Sequence, residues 1–499
     1  MKRLVDCLAR WAREKPDNPA ISDARVDWSY KDLHEQTMNA AEFLRGQGVR
    51  PGDRVMLIGE NCAALAALIL GAGRLDAWVV LENARRAALE VDGVRDHAQP
   101  RLVVYVVEQS EAAQAHTQRH EAAPAATPFG DLAVTLPDTG AAACRVHPEA
   151  ADQVAVLIYT TGSTGVPKGV MLTHANLLHI GELMRTQRRL TPDDRVYGIL
   201  PITHVMGLSS GLLGTLSAGG HIRMVARFSP ESCLDALRTQ GITILQGAPA
   251  MFARLVEAVA PERRLEGSLR FIAAGGAPLD SALKEHIERV FGLTLHNGYG
   301  LSEAAACCWT RLDAEDSDFS VGPPNPGMEV RILDAAGKPV DVGETGELWV
   351  RGPNVMKGYF RMPERTREVL RPDGWFNTED LARMTPDGRV HFEGRGKDLI
   401  IRSGFNVSPL EVEAALNAHR GVQYCAVLGV PREGNEDIVA IVEPAPRQTV
   451  TEAGLREFLE TRLSPYKRPG RIVFVDALPV APNGKVLKKQ LMEQFGEML

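Results

Sequence analysis

The sequence has no C-x-x-C pair, no internal repeat, no long uninterrupted apolar run and no excess of basic charge. Each absence removes a class of protein. The cysteines at 7, 62, 144, 233, 307, 308 and 425 have neither metal-ligand spacing nor the density of a disulfide framework, and they read as reduced thiols of a cytoplasmic protein. No window reaches the roughly 18 apolar residues of a membrane span. The start, Met1 to Trp11, reads as an amphipathic helix and lacks the apolar centre of a secretory signal. A net charge of −7 argues against a general nucleic-acid or anionic-membrane surface. What remains is ordinary soluble composition, 44% hydrophobic and 24% charged. At 499 residues the chain exceeds the size at which single cores stop growing, so more than one domain is expected.

Periodicity places helices at 4–14, 31–47 and 62–73, with strands at 54–58 and 78–81 between and after them. Alternation of this kind predicts a largely parallel, doubly wound sheet. Residues 109–150 are rich in Ala, His, Glu and Pro without clean periodicity and read as a surface excursion. The apolar run Val154–Ile158 is a buried strand that opens onto Tyr159-Thr160-Thr161-Gly162-Ser163-Thr164-Gly165-Val166-Pro167-Lys168-Gly169. Glycines allow close backbone approach to an anion, hydroxyls donate without bulk, and lysine adds a mobile positive charge. The composition is that of a phosphate-holding loop. Its spacing is not G-x-x-x-x-G-K-[ST], so a Walker-type kinase or ATPase is a poor fit.

Further on, Thr173-His174-Ala175-Asn176 caps a helix to about residue 189. Phe271–Ala274 is a strand ending in Gly275-Gly276-Ala277-Pro278, and a second short strand, Leu293–Leu295, leads to Asn297-Gly298-Tyr299-Gly300-Leu301-Ser302-Glu303. Gly394-Arg395-Gly396-Lys397-Asp398 suits a hinge, because few residues must absorb a rotation. It divides a domain of residues 1–395 from one of 396–499. The second begins with Ser408-Pro409-Leu410-Glu411, the pattern of a capped helix start, and ends with Pro482-Asn483-Gly484-Lys485. Asn-Gly is a strong turn signal, and Lys485 projects at its exit. Lys488 and Lys489 read as solvated charges.

Taken together, these strings resemble the adenylate-forming superfamily of acyl-CoA synthetases, adenylation domains and luciferases, over nearly the whole chain. The resemblance implies a large N-terminal domain of layered, mostly parallel sheets with helices and a small mobile α+β C-terminal domain. It implies ATP, Mg2+ and CoA as cofactors and a small carboxylic acid as substrate. The loop residues Thr160, Thr161, Gly162, Ser163, Thr164, Gly165 and Lys168 would hold pyrophosphate. Gly275, Gly276, Ala277 and Pro278 would face one side of adenine, with Tyr299 stacked on the other. Asn297, Gly298, Gly300 and Ser302 belong to the same segment, and Glu303 with Thr160 would hold Mg2+. Asp380 would accept both ribose hydroxyls, Arg395 would contact the nucleotide, Lys397 would be the pivot, and Gly404 would line the pantetheine path.

Two strings depart from the family's pattern: Glu82-Asn83-Ala84-Arg85 replaces an Asn-Pro-Arg segment, and Glu379 stands where glycine is usual.

Lys485 would neutralise an anionic carboxylate and an anionic α-phosphate at the moment of attack. His204 would wall the acyl pocket or gate the thiol path, and Lys485, His204 and Glu303 are therefore the catalytic candidates. Val205, Met206 and Gly207 would face Ala304, Ala305, Ala306 and Cys307 across the acyl pocket. These are small and neutral, and no arginine is seen placed to hold a second carboxylate, so an apolar acyl group, a medium-to-long aliphatic chain or an aryl ring, is expected. Ala304–Ala306 read equally well as helix-forming residues. The string Arg402–Val407 is similar to acyl-CoA synthetases and favours CoA as acceptor. Alternatives are an acyl-AMP ligase loading a carrier protein, a luciferase-type oxygenase, and a nucleotide-binding protein without catalysis.

Overall fold

The computed structural model describes residues 2–161, 167–259, 267–279, 281–312, 319–402, 405–432, 435–446, 448–481 and 484–495. Within them the large domain is built on two eight-stranded sheets. In the first, strands Pro19–Ser22, His221–Met224, Arg195–Gly198, Ile244–Gly247, Phe271–Ala274 and Leu295–Leu301 pair in parallel, with antiparallel strands at both edges. The second has a parallel centre of Leu102–Val106, Arg54–Gly59, Trp78–Asn83 and Val154–Thr161, extended by antiparallel strands on each side. The apolar runs of the central strands follow from burial on both faces. The helix Ala63–Arg74 buries every residue from 63 to 73 and belongs to a core that joins both sheets.

Two of the helices begin at short polar side chains that cap them reciprocally. Ser29 and Asp32 form a capping box at Tyr30–Gly46, and Thr173 with Asn176 forms another at His174–Gln187. The stretch 109–150, expected to be irregular, holds a helix Glu111–Thr117 and a hairpin of Ala123–Thr127 with Gly130–Val134. The hairpin completes the edge of the second sheet, and its short strands give too few residues for a readable period. Ala305–Trp309 is a strand paired antiparallel to Leu295–Leu301, so the helical reading of Ala304–Ala306 is corrected: pairing overrides alanine's propensity. Glu303 accordingly lies in a turn rather than in a helix.

A four-stranded antiparallel sheet, 329–333, 346–351, 376–384 and 390–395, leads to the boundary. Gly396–Asp398 is a single turn of 3-10 helix. The C-terminal domain carries the helix Pro409–Asn417, the hairpin Val422–Arg432 with Asn435–Pro444, a third strand Arg471–Phe474 and a core of its own. Ser408 precedes that helix as expected but does not cap it; its Oγ donates to the Glu393 carbonyl at 3.0 Å, across the boundary. Lys488 is not free in solvent, since its Nζ meets Glu413 at 2.8 Å and the Val427 carbonyl at 3.0 Å. All seven cysteines are free thiols. Among the described residues no helix is long and apolar enough to cross a membrane.

Candidate active site

Ligands of open α/β sheets bind beyond the carboxyl ends of the parallel strands. Four such ends of the first sheet converge here: 195–198 leads to His204, 244–247 to Ala248, 271–274 to Gly275, and 295–301 contains Tyr299.

Tyr299 and Asp380 anchor one side. The Tyr299 hydroxyl donates to Asp380 Oδ2 at 2.5 Å, and the ring stacks on Phe392 at 5.7 Å and 28°. Asp380 and Arg395 face each other across paired strands, with Arg395 Nε 3.5 Å from Oδ1. Burial raises the Asp380 carboxyl, and the Tyr299 hydroxyl, Arg395 and Lys485 pull it back. Gly276 takes a left-handed φ of 80° as the chain leaves its strand, and Gly276 and Pro278 are exposed beside the cleft. Asn297 and Ser302 are buried in the same segment, whereas Gly300 is open. The family's glycine position explains itself at Glu379, whose φ is +61°, a region that L-residues avoid. Its carboxylate pairs with Arg365 at 2.6 Å rather than crowding Asp380.

Glu303 and Lys168 meet at Tyr359. The Tyr359 hydroxyl donates to Glu303 Oε1 at 2.8 Å, and Lys168 Nζ lies 5.1 Å from the centre of the same ring. Sequence reading missed both Tyr359 and Phe392, which lie outside every motif although Phe392 shares its strand with Arg395. Lys168 is paired in register with Thr160, whose Oγ1 is buried without a hydrogen-bond partner. Gly162, Ser163, Thr164 and Gly165 lie outside the described residues, as do Gly404 and the side chains of Thr161 and Lys397. Among the described residues no three acidic, histidine or cysteine side chains form a metal cage. Mg2+ does not require one, since it is held by one or two protein oxygens plus phosphates and water. The orphaned Thr160 hydroxyl and the Glu303 carboxylate fit that demand.

The C-terminal domain delivers Lys485 to this cleft. Gly484 adopts φ +82°, and a Cβ there would come within 2.5 Å of Ala248 Cβ, so only glycine lets the turn seat against the large domain. Gln423 Nε2 reaches Glu257 at 2.8 Å nearby. Lys485 keeps access to solvent along the cleft yet is crowded by protein. Burial, then Arg395, lower its ammonium to about 8, while Asp398 and Asp380 oppose the shift. His204 feels the same lysine: burial first, then Lys485, lower it to about 4, leaving a neutral imidazole at physiological pH.

On the remaining wall, Met206–Leu213 forms a π-helix, a form concentrated at functional sites. Met206 Cε would be 2.9 Å from a Cβ on Gly275, so the glycine admits the helix against the strand end. Val205, Ala304, Ala305 and Cys307 are buried, Ala306 is half-buried, and the Cys307 thiol is pushed well up by burial. Gly207 packs on the Pro201 carbonyl. Two residues outside every motif line the same face, Gln246 and Arg188. Their signal in the sequence was polarity inside or beside apolar stretches, which alone singles out nothing.

The profile described as AMP-binding enzyme matches residues 8–360, and that of the AMP-binding enzyme C-terminal domain matches residues 411–485. Over 498 residues the chain is 36% identical to the feruloyl-CoA synthase of an Amycolatopsis species, with 98% of each covered. The sulfoacetate–CoA ligase of Cupriavidus necator is 32% identical, with 98% of this chain and 97% of that protein covered. The ATP-bound crystal structure of MatB from Rhodopseudomonas palustris superimposes with a TM-score of 0.86 at 32% identity, over 99% of both chains. The apo crystal structure of the same protein fits less closely, with a TM-score of 0.75 over the same coverage.

Proposed function

The chain belongs to the AMP-binding enzyme family, and on that premise we propose that it is an ATP-dependent acid–CoA ligase. The acid's carboxylate attacks the α-phosphate of ATP, pyrophosphate leaves, and CoA thiol then displaces AMP to give acyl-CoA. The observation that carries this reading is the presence of Lys485, from the small domain, in one cleft with Asp380, Arg395 and His204.

Two anions must meet in the first step, and the Lys485 ammonium between them offsets the charge that builds up. Its lowered value near 8 leaves it charged at neutral pH. Asp380 would accept the ribose hydroxyls, and Tyr299, held by Phe392 and Asp380, would stack on adenine. Lys168 and the hydroxyl loop would receive the departing pyrophosphate. Mg2+, held by Glu303 and Thr160, would supply Lewis-acid charge to the phosphates.

Thiol transfer needs a path to the acyl carbonyl that Lys485 obstructs, so the small domain turns about Lys397 and withdraws it. His204, half-buried and neutral at physiological pH, walls the junction of acyl pocket and thiol path. The closer fit to an ATP-bound than to an apo relative supports the arrangement seen here as the adenylating one. The relatives' names point to CoA as acceptor, but they name unlike acids, feruloyl and sulfoacetate. The small neutral residues at 205–207 and 304–307 favour an acid with an apolar body.

The test is pyrophosphate release across a carboxylate panel with CoA, a phosphopantetheinylated carrier protein or oxygen as acceptor. Acyl-CoA formed in the CoA arm alone is the expected result. Carrier loading without free acyl-CoA would replace CoA by a protein acceptor, and absence of pyrophosphate with every acid would overturn the ligase reading.

A further inference from the structure

Gln246 is 3% exposed, and neither its Nε2 nor its Oε1 has a hydrogen-bond partner. Arg188 is 1% exposed, its Nε and Nη2 are likewise without partners, and among the described residues its guanidinium makes one hydrogen bond, Nη1 to the Ser210 carbonyl at 3.4 Å. Its guanidinium lies instead over two rings, 4.8 Å from Trp309 and 5.6 Å from Phe271. Among the described residues no carboxylate pairs with it. The Trp309 Nε1 is a third buried donor without a partner.

These groups share one face of one sheet. Gln246 is in register with Ala273, and Ile244 with Phe271, so Gln246 and the Arg188–Phe271 stack lie on the same side. They stand two residues apart along the strands, about 6–7 Å. The π-helix covers that face from end to end. Its first residue, Met206, meets Gly275 at the carboxyl end of Phe271–Ala274, and its Ser210 carbonyl meets Arg188 over the opposite end. Gln246 lies between, flanked by Ala273. The line therefore runs from the cleft, past an amide, to a buried cation.

Folding does not favour such a line. A buried amide without partners is unfavourable, and a buried cation without a counter-ion more so. Burial lowers Arg188 to about 9, which still leaves it charged at neutral pH. Apolar residues of like volume would serve the core at least as well. A ligand that brings the missing acceptors and the missing charge accounts for all three residues together.

We propose that the acid activated by this enzyme carries, beyond an apolar body, a second acidic group at its far end, a carboxylate or sulfonate. That group pairs with Arg188, and Gln246 hydrogen-bonds the chain or the group on the way. The inference rests on the acid–CoA ligase reading and adds the substrate class to it. It departs from the expectation, drawn from sequence, that no arginine is placed for a second carboxylate.

The experiment compares pairs of acids matched in length and body, one ending in methyl and one in carboxylate or sulfonate. Pyrophosphate release is measured on wild type, Arg188→Met and Gln246→Leu. Wild type should prefer the acid-tipped member, and Arg188→Met should lower kcat/KM for that member at least about tenfold while changing the methyl-tipped member little, because a site built for a polar group rejects the analogue lacking it. Gln246→Leu should act in the same direction by less. Thermal melting without ligand should show Arg188→Met at least as stable as wild type, which separates a ligand-binding cation from one that holds the fold. With wild type, the acid-tipped member alone should raise the melting temperature, and with Arg188→Met it should not. Wild type that prefers the methyl-tipped acids, or a preference unchanged in Arg188→Met, overturns this inference and leaves the ligase reading standing. No pyrophosphate with any acid overturns both.

Discussion

The two sides of the cleft treat their polar atoms in opposite ways. On the side of Tyr299, Asp380, Arg395, Tyr359 and Glu303, protein groups already engage one another: hydroxyl to carboxylate, guanidinium to carboxylate, ring to ring. On the side of Gln246, Arg188 and Trp309, donors are buried and left without partners. A ligand that is the same in every turnover is met by a prearranged network, which costs little reorganisation when it arrives. A ligand that must be chosen among similar molecules is met by groups that are unsatisfied until the right one comes, and that is how specificity is built. One cleft thus holds both solutions.

Lys485→Ala should have the largest effect, because it removes the charge that serves both sides. Adenylation should lose about 2.7–4 kcal/mol of barrier lowering, roughly 10²–10³ in rate. Transfer from pre-made acyl-AMP to CoA should survive. Pyrophosphate exchange and single-turnover thioester formation on one preparation distinguish the two, and equal loss of both would remove the lysine from the chemistry. The pH profile sharpens the point: Lys485 is charged below about 8, so kcat/KM for ATP should fall as pH rises through that value. In Lys485→Ala that alkaline limb should vanish.

Lys397→Pro comes next. Residue 397 lies in a 3-10 turn, whose φ a proline ring accepts, so the substitution should hold the arrangement seen here. Thioester formation should fail while pyrophosphate exchange continues. If both rates drop together, or neither does, the hinge lies elsewhere.

Tyr299→Phe tests the engaged side directly, since it keeps the ring and strips Asp380 of a donor. A hydrogen bond to a charged group is worth about 1.5–3 kcal/mol, so the KM for ATP should rise roughly ten- to hundredfold. An unchanged KM in a folded variant would separate Asp380 from the nucleotide. The smallest effect belongs to Glu379→Gly. Relief of the left-handed backbone and loss of the Arg365 pair oppose each other, as does the greater freedom of glycine in the unfolded chain. Stability should stay within about 1 kcal/mol of wild type by thermal or urea melting; a much larger loss would make the Glu379–Arg365 pair a structural clamp.

The comparison also shows where sequence reading reached and where it stopped. The strands around 54–58, 78–81 and 154–158 and the turn before Lys485 were legible because local pattern and spacing determine them. Lys485 could be singled out by its turn, and the fold brings it within electrostatic range of Asp380 and Arg395. Tyr359 and Phe392 were not legible, because an aromatic in a strand reads as core until its partner is known. Arg188 at a helix end reads as a solvated charge, and only packing of the helix against Phe271 and Trp309 removes it from water. The strand at Ala305–Trp309 hid behind three alanines, whose helical preference yields to pairing with the segment of Tyr299.

Ser408 spends its hydroxyl on the Glu393 carbonyl and leaves the helix Pro409–Asn417 without a side-chain cap. If the small domain turns about Lys397, that bond must break, and the same hydroxyl is then free to cap its own helix. The bond given up is worth about 0.5–1.5 kcal/mol and the cap gained about 0.5–2 kcal/mol. The exchange is nearly even. One hydroxyl with two alternative employments therefore levels the ground between the two arrangements, so that the bound ligand, and not the joint, decides which one prevails.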